Sequence, residues 1–120
     1  MTLTTTETDG ARIITVNADR IDAAMAIQFK EDMREKTDPG PERVILDLSS
    51  VTFIDSSGLG AIVAAMKQLG DGRRLDLAGL TPMVEKVFRL TRMDTVFTLF
   101  SSLDDAVPGL DSGSSGGSYL

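Results

Sequence analysis

Asp55-Ser56-Ser57-Gly58-Leu59-Gly60 separates two apolar runs of different period. Before it, Val44-Ile45-Leu46-Asp47-Leu48 and then Val51-Thr52-Phe53-Ile54 read as extended chain. After it, Leu59, Ile62, Val63, Met66 and Leu69 recur at the spacing of one helix face. The six residues are therefore read as a sharp strand-to-helix turn, with two serine hydroxyls at the start of the helix. Such a start offers free backbone N–H groups and the positive end of a helix dipole to whatever the serine carries. Ser57 is the expected centre of the function.

Working outward toward the N-terminus, Leu3 to Glu7 and Arg12 to Asn17 are β-prone runs joined by Thr8-Asp9-Gly10, and Asp-Gly is a strong hairpin signal. Asp19-Arg20-Ile21-Asp22 reads as a polar turn, with Asp22 as N-cap of a helix from Ala23 to Lys36. Ala26, Phe29 and Met33 form the apolar stripe of that helix, and Thr37-Asp38-Pro39-Gly40-Pro41 stops it. Val44 to Leu48 is nearly unbroken apolar chain, which predicts a strand buried on both faces. Asp47 interrupts it as a strand-end carboxylate expected to bond a neighbouring loop. It is not a response-regulator phosphoacceptor, because the acidic pair and the late lysine of such a site are missing.

Toward the C-terminus, Gly70-Asp71-Gly72 ends the Ser57 helix at Leu69 with a left-handed cap. Arg74 to Ala78 is the next strand. Thr81-Pro82 then opens a helix whose face is expected to carry Met83, Val87 and Leu90, with Val84 and Phe88 beside them. Val96 to Phe100 reads as a last short strand, and Ser102-Leu103-Asp104-Asp105 as a capped terminal turn of helix. The order is ββαβαβαβ(α). It predicts a single α/β domain over residues 1–110, with a mixed, largely parallel sheet of four to five strands and about four helices. Residues 111–120, rich in serine and glycine, read as a disordered tail.

Composition narrows the chemistry. The 120 residues are 42% hydrophobic and 25% charged, an ordinary globular balance. The chain has no cysteine, as expected for a reducing compartment, and no histidine. The second absence removes the commonest general base, the commonest zinc ligand and every Ser-His or Cys-His nucleophile. A net charge of -6 with dispersed lysines and arginines argues against a nucleic-acid partner. Met1 to Thr6 has no basic or apolar signal segment, and no apolar run reaches the length of a membrane span. A cytoplasmic protein with no cofactor, no metal and no membrane insertion is expected.

Val44-Ile45-Leu46-Asp47-Leu48-Ser49, a short spacer, and Phe53-Ile54-Asp55-Ser56-Ser57-Gly58-Leu59-Gly60 together resemble the signature of STAS domains. Within them the chain is most similar to bacterial anti-sigma factor antagonists. The resemblance covers residues 3 to 107, including Arg20-Ile21-Asp22-Ala23 and Phe100-Ser101-Ser102-Leu103. It implies a partner-switching regulator with no enzymatic activity of its own. Ser57 would be phosphorylated by a serine kinase that carries the ATP and doubles as the anti-sigma factor. The unphosphorylated form would bind that kinase and free the sigma factor, and a serine phosphatase would reset the switch. Asp22 matches a family position near the docking surface, and Asp55, Ser56, Ser57, Gly58 and Leu59 would complete that surface on a monomer or weak dimer. Asp19 departs from the pattern, standing where many members have glycine.

Other readings compete. Asp22, Asp55, Ser56 and, on local grounds alone, Ser57 can also be read as helix caps. Gly58 is expected to leave room for a kinase, although both glycines can also be read as serving close helix packing only, the reading preferred for Gly60. Met25, Met33, Met66, Met83 and Met93 read as core or core-edge packing. A non-enzymatic STAS subunit of a transport or signalling complex shares the same pattern. A small nucleotide-binding protein is disfavoured, because Val63 stands where a dinucleotide turn needs its third glycine and no phosphate-loop lysine is present.

Overall fold

A computed structural model describes residues 2–8 and 10–107. The expected Ser/Gly tail, and Asp9 of the hairpin turn, lie outside the described residues. Strands β1 (Thr2–Thr8) and β2 (Ala11–Asn17) form the expected antiparallel hairpin, with Thr8 paired to Ala11 and Gly10 at φ +78. Threonine and isoleucine favour this because branched side chains pack well on a pleated surface. β2 then pairs in parallel with β4 (Arg43–Asp47), β4 with β6 (Arg74–Ala78), and β6 with β7 (Leu99–Phe100). The five-stranded sheet has the order β1-β2-β4-β6-β7.

Val44, Ile45 and Leu46 of β4 are fully buried, because both faces of the sheet are covered. Val44 and Leu46 join the main core with Phe29 and Met33 of α1 (Ala26–Thr37), Ile62 and Ala65 of α2 (Ser56–Leu69), and Val84 and Phe88 of α3 (Pro82–Leu90). Ile45 joins the smaller core on the other face with Ile13, Ala78 and Ala106, the last from α4 (Leu103–Ala106). Ser102 caps α4 by accepting from the Asp105 N–H at 3.1 Å, as its sequence predicts. Asp47 bonds the Ser49 N–H at 3.0 Å, also as expected.

Four expectations are corrected. Arg20 and Ile21 are not a polar turn but strand β3, paired in parallel with β5 (Phe53–Ile54) as a separate two-stranded sheet. The first helix starts at Ala26, not Ala23. Residues 23–25 form a turn, and Asp22 caps that turn rather than the helix by accepting from the Ala24 N–H at 3.1 Å. The face of α3 is rotated: Val84 and Phe88 are buried, whereas Met83 is 56% and Leu90 74% exposed. The last strand is only Leu99–Phe100, because a 3-10 turn at Met93–Thr95 precedes it and turns Phe97 into the core. There the Phe97 ring meets Phe88 edge-on, with centroids 6.0 Å apart.

Candidate functional site

The N-terminus of α2 is built by one carboxylate with two bonds. Asp55 has extended backbone (φ -107, ψ -176), the conformation of an N-cap. Its Oδ1 accepts from the Gly58 N–H at 2.8 Å, and its Oδ2 accepts from the Ala23 N–H at 3.1 Å. Thus Asp55 caps α2 and fastens the turn that leads into α1. Asp22 sits in the same turn, half-buried, with Arg20 Nη1 3.8 Å from its Oδ2.

Gly58 is buried against β3. A Cβ there would stand 1.9 Å from the Ile21 carbonyl oxygen and 3.0 Å from Ile54 Cγ1. Of the two readings of Gly58, close packing holds and room for a partner is corrected: its missing side chain lets α2 sit on the β3–β5 ribbon. Gly60 is corrected in the opposite sense. It is exposed, and a Cβ there would meet nothing within 4 Å, so it makes no close packing contact.

These constraints leave the two serines outside. Ser56 and Ser57 occupy the first two helical positions and both are exposed. The first helical i→i−4 bond at this end is Leu59 N–H to Asp55 C=O at 2.9 Å, so the N–H groups of Ser56 and Ser57 have no acceptor within the helix. A negative group on Ser57 would meet those donors and the positive end of the α2 dipole. Leu59 is half-buried and packs on the core, which limits how much of it faces outward. Of the six residues expected at the site, Asp22 and Asp55 are thus brought together through Ala23, Ser56 and Ser57 are free, and Gly58 lies beneath.

One residue next to the site escaped sequence reasoning. Phe53 is 45% exposed on β5, in register with Arg20. Its neighbour Thr52 fastens the ribbon, its N–H and hydroxyl both donating to the Asp19 carbonyl, at 2.8 and 3.2 Å. The single isoleucine inside Asp19-Arg20-Ile21-Asp22 was the available signal for this pairing.

Comparison with known proteins gives this geometry a family. The model of the STAS domain matches residues 2–106. The chain belongs to the STAS domain family. Within it, the anti-sigma-F factor antagonist RsfB of Mycobacterium tuberculosis is 26% identical over 113 residues, covering 94% of this chain and 92% of RsfB. BtrV of Bordetella bronchiseptica is 31% identical over 107 residues, covering 88% of this chain and 91% of BtrV. The crystal structure of an anti-sigma factor antagonist from Mycobacterium paratuberculosis superposes with a TM-score of 0.79 at 27% identity, covering 91% of this chain and 92% of that one. The five-stranded mixed sheet with four helices described above is thus a STAS fold. No helix among the described residues is long and apolar enough to cross a membrane.

Proposed function

We propose that this protein is an anti-sigma factor antagonist whose binding to an anti-sigma serine kinase is switched by phosphorylation at Ser57. The observation that carries the reading is the exposed Ser57 hydroxyl at the second position of α2, beside a carboxylate whose two oxygens are already committed. The unphosphorylated surface of Asp22, Asp55, Ser56, Ser57 and Leu59 docks on the kinase, and the sigma factor is released. Gly58 holds that surface in place from below. The protein acts as the substrate of the kinase and not as a catalyst, and a serine phosphatase restores the hydroxyl.

The switch is electrostatic. A phosphoserine adds about −1.5 to −2 charges and three strong acceptor oxygens. Free N–H groups at the helix start can receive it, so the fold need not change. An interface made around a neutral hydroxyl would instead have to desolvate a dianion beside Asp55. Repulsion of that kind costs several kcal/mol, and each ~1.4 kcal/mol is tenfold in affinity.

The test is intact mass after incubation with a purified candidate anti-sigma kinase and ATP. One added phosphate that disappears in Ser57→Ala, with Ser56 still present, supports the reading. Stable binding to a transport or signalling complex, with no phosphate from any kinase, would support a constitutive STAS subunit instead.

A further inference from the structure

The outer edge of the sheet is unusual in what it lacks. β1 is seven residues long, lies at the end of the strand order, and pairs with β2 without a bulge from Thr2 to Thr8. Exposed edges are ordinarily guarded by lysine, proline, a bulge or brevity. The opposite edge, β7, is guarded by brevity, with two residues. β1 carries none of these guards, and its one charge, Glu7, is neutralised by an ion pair with Arg12 of β2.

The sequence of this edge also reads almost the same in both directions: Thr2-Leu3-Thr4-Thr5-Thr6-Glu7-Thr8. Only Leu3 and Glu7 break the symmetry. We propose that β1 is a self-association edge, pairing antiparallel with β1 of a second copy about a two-fold axis at Thr5. In that register Thr4 faces Thr6 of the second copy, Thr2 faces Thr8, and Thr5 faces its own equivalent. Every opposed pair on the exposed face is then threonine on threonine, a pairing that stabilises antiparallel strands. Glu7 falls opposite Leu3 of the second copy, so like charges never meet. Parallel pairing in register would set Glu7 beside Glu7 and is disfavoured for that reason. The second copy is thus the occupant that the edge itself specifies, and pairing joins the two five-stranded sheets into one.

The experiment is sedimentation velocity of the full chain from low micromolar to near-millimolar concentration, for wild type, Thr5→Lys and Thr5→Glu. Thr5 is exposed, so both variants are expected to melt like wild type. Wild type should form a concentration-dependent dimer, and each variant should dissociate at about tenfold or more higher concentration because two like charges then oppose each other on the axis. Mixing the two variants should restore the dimer, as Lys then faces Glu. Amide exchange in wild-type β1 should also slow as concentration rises. A monomer at all concentrations, or a dimer indifferent to Thr5→Lys, would overturn the proposal, as would β1 exchange that ignores concentration.

Discussion

The carbonyl oxygen of Ile21 stands 1.9 Å from the point that a Cβ on Gly58 would occupy. No backbone atom can yield that much without moving either α2 or the β3–β5 ribbon. Gly58→Ala should therefore destabilise the protein by about 1–3 kcal/mol, the range of overpacked cores, measured as a lower urea midpoint. Gly60→Ala, two positions on in the same helix, should do the reverse. Nothing obstructs its Cβ, so relief of glycine's backbone entropy should stabilise by about 0.5–1 kcal/mol. Equal effects from the two substitutions would refute the assignment of Gly58 as the contact.

Asp55 makes two separable bonds. Asp55→Ala loses both and should cost about 1–2 kcal/mol. Asp55→Asn can keep its carbonyl oxygen on the Gly58 N–H, but its amide would then face the Ala23 N–H, donor against donor. Amide exchange should consequently accelerate at Ala23 and remain slow at Gly58. If both amides lose protection together, the two bonds are not independent.

Substitutions at Ser57 should leave the fold intact, which makes them clean probes of binding. Its side chain is exposed in the first turn of α2. A carboxylate there meets the positive end of the helix, so Ser57→Asp should be neutral or more stable by about 0.3–1 kcal/mol in low salt. The same variant should lose affinity for the proposed anti-sigma kinase, whereas Ser57→Ala should bind it and resist phosphorylation. Full-affinity binding by Ser57→Asp in a calorimetric titration would count against the electrostatic switch.

Asp76 is the most buried charge of the sheet, with its side chain 3% exposed. Its Oδ2 lies 2.8 Å from Arg43 Nε and 3.1 Å from Arg74 Nη2. Arg43 in turn donates to the Ala106 carbonyl at 2.8 Å and lies over the Phe100 ring, so this carboxylate helps to anchor α4. Arg74 is largely exposed and adds little. Asp76→Ala strands the Arg43 guanidinium and should cost about 3 kcal/mol. Thermal unfolding should show the loss, and exchange at Ala106 and Val107 should quicken before the rest of the chain opens.

Local periodicity made much of this protein legible. The hairpin, the buried middle of β4, the start of α2 at the Asp-Ser-Ser-Gly turn and the capped α4 all follow from patterns within a few residues, where side-chain period and capping chemistry act directly. So does the exposed position of Ser57, since a helix start cannot bury its first turn without partners for the N–H groups. Tertiary contacts decided the rest. The extended run ending in Phe53 and Ile54 was readable, but a two-residue strand such as β3 has no period, so β3 and its pairing with β5 emerge only when Ile21 and Ile54 meet across 33 residues of chain. In α3 the apolar positions Met83, Val84, Val87, Phe88 and Leu90 make two overlapping stripes of similar hydropathy. Which stripe turns inward depends on Phe97 arriving to pack on Phe88. The two glycines of the turn show the same division: the sequence suggests packing for Gly60, and only the approach of the Ile21 carbonyl shows that Gly58 makes the close contact and Gly60 makes none.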